Sequence, residues 1–303
     1  MKHIFILSAA AFLSLAACNK DMYAPKGAAG HDTEITFTLG GEFAAGTRAT
    51  EITTANLSSL YVTATTGTSS ESAVFTSQPF SKSGSAWKGG QFWPGSNPGY
   101  HFYAANTALT HTASGATVSP ANADTDIVVD YLASPTFRAS NALELEHIFC
   151  QIGTVTMKAP AGYTVTDLKV SVQPVVSGTY NLKSGSWTTR GAATVARYIL
   201  GSATSGVSIS SAGGQVSSAD NDLWLVPGSY TLTASYTITK GAYTSSQTRT
   251  ATVTLLQGKN NNIGLPGTGS DQPNIPEPSD VSEIEFSVTV TPWTDNTVQA
   301  NFS

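Results

Sequence analysis

The sequence alternates apolar and polar residues over short segments along most of its length. Successive side chains of a β-strand point to opposite faces, so this period of two is typical of half-buried strands. No segment carries a convincing helical apolar stripe, and clusters of Gly, Pro, Ser and Asn separate the alternating segments at short intervals. The sequence therefore predicts an all-β fold of the sandwich or barrel type. The clearest alternating segments are residues 34–39, 60–64, 100–104, 163–170, 230–238 and 250–255.

The N-terminus predicts export. Basic Lys2 and His3 precede an apolar run, Ile4–Leu15, of about a dozen residues, which is shorter than a membrane-spanning helix. The run ends in Leu15-Ala16-Ala17-Cys18, which resembles the lipobox of bacterial lipoproteins. We therefore expect residues 1–17 to be a lipoprotein signal peptide and Cys18 to be acylated, anchoring the chain through lipid. The alternative is an ordinary secretory signal that contains a cysteine by chance.

Composition excludes several classes of function. Only 12% of the residues are charged and the net charge is −5, so no basic surface for nucleic acid is expected. The chain has two cysteines, and acylation of Cys18 would leave Cys150 as the single thiol. An internal disulfide and a zinc cluster are then both impossible, and no cofactor is expected.

Two terminal segments of the predicted domain region have similar strand patterns. Residues 34–39 and residues 283–288 both read Glu, Ile, polar, Phe, polar, aliphatic. The second follows a Pro-rich stretch, Pro266–Asp280, that reads as a linker. If both strands fit one groove, a chain could donate its last strand to a neighbour that lacks its first. The alternative is that such alternation arises by chance. The apolar residues concerned are Ile35, Phe37 and Leu39 in the first strand and Ile284, Phe286 and Val288 in the second.

A single arginine follows the first strand in a Gly- and Thr-rich segment. It lies in Thr47-Arg48-Ala49-Thr50, where an uncrowded loop would suit a trypsin-like protease. Cleavage between Arg48 and Ala49 would separate residues 34–39 from the domain and open an apolar groove. The alternative is that Arg48 is merely a solvated side chain.

The order of these features resembles the fimbrillin (Mfa-like) family of type V pili from anaerobic Gram-negative bacteria. The resemblance covers most of the mature chain. Besides the lipobox and the Arg48 loop, the motifs that carry it are Asn56–Val62, Phe92-Trp93-Pro94, Tyr100–Ala105, Asp126–Val129, Leu143–His147, Leu225–Gly228, Gly258–Ile263 and Val290–Trp293.

The resemblance implies two tandem transthyretin-like β-sandwiches, placed at residues 49–140 and 141–265. Residues 18–48 would form the lipid tether and a removable strand, and residues 266–303 the linker and a donor-type strand. It also implies a lipid-anchored precursor at the cell outer membrane, cleavage after Arg48 and strand exchange with other fimbrial subunits. The family includes stalk, tip and anchor subunits, and a tip subunit would contact a host or microbial surface ligand.

Residues for catalysis are not grouped in the sequence, so an enzyme is not expected. The four histidines of the mature chain are widely spaced, and no nucleophile elbow, P-loop or dinucleotide fingerprint occurs. Cys150 and His147 are three residues apart, which on a strand places them on opposite faces, so a structural cysteine is favoured. Asp124, Asp126 and Asp130 could bind Ca²⁺, but strand-end solvation and turn capping explain them better.

An aromatic-rich stretch supports a second hypothesis about function. Trp87, Phe92, Trp93 and Tyr100 could form a platform on which sugar rings stack. Alternation and the flanking Gly and Pro residues favour core packing instead. The alternative that follows from the platform is a monomeric surface glycan-binding lipoprotein that keeps its N-terminal strand.

Overall fold

The fold is known from a computed structural model that describes residues 33–40, 52–123, 125–159, 162–210, 214–218, 223–265 and 287–292. These residues form twenty-two β-strands and no helix, which confirms the all-β prediction. Each of the six clearest alternating segments overlaps a strand. Among the described residues there is consequently no helix that is long and apolar enough to cross a membrane.

The first half of the chain forms a sheet of eight strands in the order β10-β8-β5-β2-β3-β4-β1-β9. β3 pairs with β2 through residues 72–80 and with β4 through residues 81–83, so it belongs to both layers of a sandwich. Two short strands, β6 and β7, lie outside this sheet. The bounds are β1 Glu34–Leu39, β2 Leu60–Thr66, β3 Ser72–Ser83, β4 Ala86–Phe92, β5 Tyr100–Ala105, β6 Thr110–Thr112, β7 Gly115–Val118, β8 Val128–Leu132, β9 Ser140–Leu143 and β10 Glu146–His147.

The second half forms two further sheets that face each other. One has the order β17-β11-β21-β22 with β18 also on β11, and the other has the order β15-β12-β19-β20 with β16 also on β12. The bounds are β11 Cys150–Lys158, β12 Thr164–Val172, β13 Gly178–Asn181, β14 Ser186–Arg190, β15 Arg197–Leu200, β16 Val207–Ile209, β17 Gln215–Ser217, β18 Leu223–Leu225, β19 Gly228–Lys240, β20 Tyr243–Leu255, β21 Lys259–Leu265 and β22 Ser287–Pro292.

Each pair of facing layers encloses its own apolar core. The first core contains rings from β1, β3, β4 and β5, and the second is built mainly from aliphatic side chains of β11, β12, β19 and β20. Alternate residues of β19 are buried and the residues between them are not, as expected for a sheet with one covered face. The chain therefore folds as two β-sandwiches in sequence.

The two sandwiches meet at a third sheet and a third core. β6 and β7 from the first half continue into β13 and β14 from the second, through the pairs Tyr180–Val118 and Asn181–Thr117. The core beneath this sheet takes side chains from both halves. β9 begins at Ser140 and spans the predicted domain boundary after residue 140, and β10 lies beyond it, yet the two strands pair with β1 and β8 of the first sandwich.

Candidate functional site

The removable strand predicted from the sequence, β1, occupies an interior position of the first sheet. It runs antiparallel to β4, with Phe37 opposite Trp87, and parallel to β9, with Phe37 opposite Asn141. Both backbone edges of β1 are therefore hydrogen-bonded to neighbours. β1 is therefore an interior strand of the sheet and not an edge strand.

The side chains of β1 alternate as the sequence predicts. Ile35 and Phe37 are 1% and 0% exposed, and Leu39 is partly buried against the same core. The Phe37 ring packs edge-on against Phe102 at 5.0 Å and against Phe80 at 5.4 Å between centroids. Burial of an Ile or Phe side chain contributes about 1.5–3 kcal/mol, so β1 is an important part of the first core.

Both ends of β1 are fixed by backbone hydrogen bonds. Trp93 N–H donates to Thr33 O at 2.9 Å, and Gly40 N–H donates to Leu143 O at 2.8 Å. Glu34 adds an ion pair with Lys88, with 3.7 Å between nitrogen and oxygen. The Lys88 side chain is 46% exposed, so this pair contributes little. The slot, defined as the space between β4 and β9 that β1 occupies, therefore has Trp93 at one end and Leu143 at the other.

Several predicted site residues lie outside the described part of the chain. These are the lipidation residue Cys18, the cleavage residues Arg48 and Ala49, and the donor residues Ile284 and Phe286. The described chain resumes at Ile52, whose N–H donates to Asp126 Oδ2 at 3.0 Å. The predicted roles of all five residues stay predictions.

The described part of the C-terminal segment is β22, which contains Val288. β22 runs antiparallel to β21, with Val288 opposite Ile263 and Pro292 opposite Lys259. It has one neighbour among the described strands and lies at an edge of its sheet. The structure thus places the last described strand on the second sandwich, away from the slot occupied by β1.

The aromatic stretch belongs to the first core. Trp87, Trp93 and Tyr100 are all at most 2% exposed, and Trp93 stacks on Tyr100 with 5.6 Å between centroids. Phe92 is partly buried. Core packing, the favoured interpretation, is confirmed for Trp87, Trp93 and Tyr100, whose rings are not available as a platform for sugars. The glycan-binding hypothesis loses its main support.

Cys150 is a structural residue. Its side chain is 0% exposed, and its thiol donates a hydrogen bond to Leu225 O at 3.3 Å. Burial raises the pKa of the Cys150 thiol far above neutrality, so the nucleophilic thiolate is suppressed. His147 instead contacts Asp126, with 2.7 Å between Nδ1 and Oδ2. The two residues do not form a nucleophile pair.

The environment of the aspartate-rich segment differs from the one that the sequence predicts. Asp126 is completely buried and paired with His147, where strand-end solvation had been expected. Burial raises the pKa of Asp130, whose carboxylate also accepts a hydrogen bond from Glu144 N–H at 3.0 Å. Asp124 lies outside the described residues. In the described ranges no three acidic, His or Cys side chains are placed to bind a metal ion.

Sequence reasoning missed a buried polar cluster at the junction of the two sandwiches. Glu71, 4% exposed, accepts hydrogen bonds from Tyr103 Oη at 2.7 and 2.8 Å and from Lys183 Nζ at 2.5 Å. Thr65 Oγ1 donates to the same carboxylate at 2.6 Å. Gly115 has a φ of +121°, and a Cβ there would lie 2.8 Å from Tyr103 Oη, so glycine leaves room for the Tyr103 hydroxyl beside Glu71.

The Glu71 carboxylate is held in its charged form. Burial alone would raise its pKa, but hydrogen bonds from the Lys183 ammonium and from two hydroxyls outweigh burial and lower it. Lys183 belongs to the second half of the chain and Glu71 to the first, 112 residues apart. No local sequence pattern could have indicated this pairing.

The described architecture defines a β-protein of two sandwiches joined by a shared sheet. A family model described as fimbrillin-like matches residues 47–293. The chain therefore belongs to the fimbrillin-like family, which confirms the resemblance in its motifs. Membership supports a fimbrial or adhesion subunit at the cell surface and indicates a structural role. The matched region begins one residue before Arg48, so β1 lies outside it.

Comparison with curated proteins finds no match. Among solved structures, a candidate cell adhesion protein from Bacteroides ovatus is 13% identical, with 81% of this chain and 88% of that chain covered and a TM-score of 0.40. One from Bacteroides eggerthii is also 13% identical, with 90% and 98% covered and a TM-score of 0.40. One from Bacteroides thetaiotaomicron is 16% identical, with 80% and 99% covered and a TM-score of 0.35. These similarities are too low to support an argument about function.

Proposed function

We propose that this protein is a structural or tip subunit of a cell-surface fimbria that assembles by β-strand donation. It is exported as a lipoprotein through Cys18 and held at the outer membrane until a trypsin-like protease cuts between Arg48 and Ala49. Cleavage removes β1 together with the lipid tether. The vacated slot then takes a strand from another subunit.

The observation that carries this proposal is the interior position of β1. A strand between β4 and β9 contributes hydrogen bonds on both edges and buries Ile35 and Phe37. Its loss would expose unpaired backbone groups and the Phe80 and Phe102 rings, which is costly in water. Such a slot needs a replacement strand with apolar residues at alternate positions.

The donor in this proposal is the segment containing Ile284, Phe286 and Val288. By the pattern of its residues, Phe286 would take the position of Phe37 and Ile284 that of Ile35. Two or three buried apolar side chains at about 1.5–3 kcal/mol each would supply several kcal/mol, in addition to the backbone ladder. In the assembled fimbria this segment occupies the slot of a neighbouring subunit.

The first test is the processing of the native protein. Intact mass and N-terminal sequencing should give an N-terminus at Ala49, and an unboiled denaturing gel should give a ladder that collapses on boiling. Arg48→Ala should leave an uncleaved lipoprotein at the membrane, whereas Arg48→Lys should still be processed by a trypsin-like enzyme. Normal fimbriae from Arg48→Ala cells would disprove the proteolytic trigger.

The second test addresses the donor segment. Phe286→Asp should abolish the ladder and leave a folded monomer, because a carboxylate cannot enter an apolar slot without a large cost. Ser287→Asp is the matched control, since its alternate position points away from the slot in the proposed register. Wild-type oligomer yield from Phe286→Asp would show that another segment is the donor.

A further inference from the structure

β20 forms a long and regular edge of the second sandwich among the described strands. It pairs with β19 over thirteen consecutive residues without a register shift, and with no other described strand. Edge strands in natural proteins are usually interrupted by charges, prolines or bulges, which prevent pairing with other chains. β20 contains no proline and no bulge, and its single charge is Arg249. This edge lacks the usual protection.

The exposed face of β20 is uniform. Every second residue, from Thr244 to Thr254, is an exposed Ser or Thr, and each pairs with a Ser or Thr of β19. The hydroxyls of Thr237 and Ser246, for example, lie 3.1 Å apart. Thr is favoured in strands, and Thr–Thr cross-strand pairs stabilise antiparallel sheets. A second strand of the same composition would extend this pattern.

We propose that the edge of β20 pairs antiparallel with β20 of a second copy of this chain. The two five-stranded sheets would then form one continuous sheet across a twofold axis. This lateral contact goes beyond strand donation, because it uses a different sheet and needs neither the slot of β1 nor cleavage at Arg48.

The sequence of β20 selects the register. In an antiparallel pair, two residues that lie opposite each other point to the same face of the sheet. The exposed faces of the two copies therefore lie on the same side only if the twofold axis passes beside a residue that lies opposite its own copy. An axis at Arg249 would place two guanidinium groups opposite each other. An axis at Thr248 places Arg249 opposite Gln247, whose amide oxygen can accept a hydrogen bond, and Tyr243 opposite Val253. We therefore assign the axis to Thr248.

Disulfide trapping on the native cell surface tests both contact and register. Thr248→Cys should give a disulfide-linked dimer on mild oxidation, because opposite residues lie about 4.5–5.5 Å apart between Cα atoms, within disulfide reach. The native thiol Cys150 is 0% exposed and should give no background. We expect at least tenfold more dimer than in the unmodified protein.

The matched control is Thr252→Cys on the same exposed face of the same strand. In the proposed register two copies of residue 252 lie roughly 26 Å apart, so no disulfide should form. Cells that produce Thr244→Cys and Thr252→Cys chains together should form the mixed dimer. Equal trapping of Thr248→Cys and Thr252→Cys, or no trapping at all, would overturn the proposal.

Charge substitutions give an independent measurement in the Thr248→Cys background. Gln247→Glu should increase dimer yield several-fold, because it places a carboxylate opposite Arg249 of the second copy. Gln247→Lys should lower the yield several-fold through like-charge repulsion. An unchanged yield in both variants would contradict the register. The dimer should persist in Arg48→Ala cells, so failure of this contact and failure of strand donation are distinguishable.

Discussion

The first and last described strands of this protein lie in contrasting positions. β1 lies between two neighbours, and its Phe37 ring contacts Phe80 and Phe102 in the first core. β22 has one described neighbour, β21, and occupies a sheet edge. The segment whose pattern resembles that of β1, residues 283–288, overlaps β22 only at Ser287 and Val288. The contribution of a strand depends on how many of its edges and faces are covered, which a local sequence pattern does not specify.

The largest expected effect is at Phe37. Phe37→Ala should lower the free energy of unfolding by about 3–5 kcal/mol, because it removes the central ring of a packed core. Urea unfolding followed by tryptophan fluorescence would measure this loss. Thr38→Ala, the polar neighbour on β1, is the control and should change stability by less than about 1 kcal/mol. Equal effects of the two variants would show that the buried Phe37 ring is not what distinguishes β1 from an edge strand such as β22.

The next effect concerns Glu71, which links the sandwich of β1 to that of β22. Glu71→Gln should cost about 1–3 kcal/mol, because the Lys183 ammonium loses its buried charged acceptor. Hydrogen exchange would show whether the halves still open together. When Phe37→Ala is introduced into the wild-type chain, we expect faster hydrogen exchange in both halves. When it is introduced into the Glu71→Gln chain, we expect faster exchange in the first half only. Propagation in both backgrounds would assign the coupling to the shared sheet.

The pH dependence of stability should identify the same carboxylate. The pKa of Glu71 is lowered in the folded state from its usual 4.5, so its contribution is complete above that pH. The contribution is lost as the pH falls through the lowered folded value, because protonation removes the charge that Lys183 requires. Between pH 7 and pH 3, the free energy of unfolding should therefore fall less steeply in Glu71→Gln than in the wild type. Identical acid profiles would exclude Glu71 as a source of acid sensitivity.

Removal of the C-terminal segment should have a smaller effect. A chain that ends at Leu265 loses one edge strand, whose hydrogen bonds are largely offset by the conformational entropy of ordering it. We expect a change of less than about 1 kcal/mol in urea unfolding, well below the effect of Phe37→Ala. A loss as large as that of Phe37→Ala would mean that β22 is as integral as β1.

The smallest expected effect is at the ion pair beside β1. Lys88→Ala removes the partner of Glu34, and exposed pairs contribute about 0–1 kcal/mol. The change in unfolding free energy should be nearly undetectable and should disappear in high salt. A larger loss would indicate that the end of β1 is fixed by charge and not mainly by packing.

Several elements could be predicted from local sequence. Alternation located β1, β5 and β19, because a strand with one covered face needs apolar residues at every second position. The buried state of Trp87 and Trp93 followed from the same pattern. The buried pair Asp126–His147 did not follow, because the pairing depends on how β8 and β10 meet. The lipidation, cleavage and donor roles stay predictions.

The sequence by itself determined the all-β class, the family and the alternation that places Ile35 and Phe37 on one face of a strand. These properties are local, or are carried by the order of motifs along the chain. Only the tertiary structure decided that β1 is an interior strand, that Lys183 pairs with Glu71, and that β20 has β19 as its one neighbour among the described strands. Each depends on contacts between distant segments, whose free energy is set by burial and geometry that appear only when the sheets assemble.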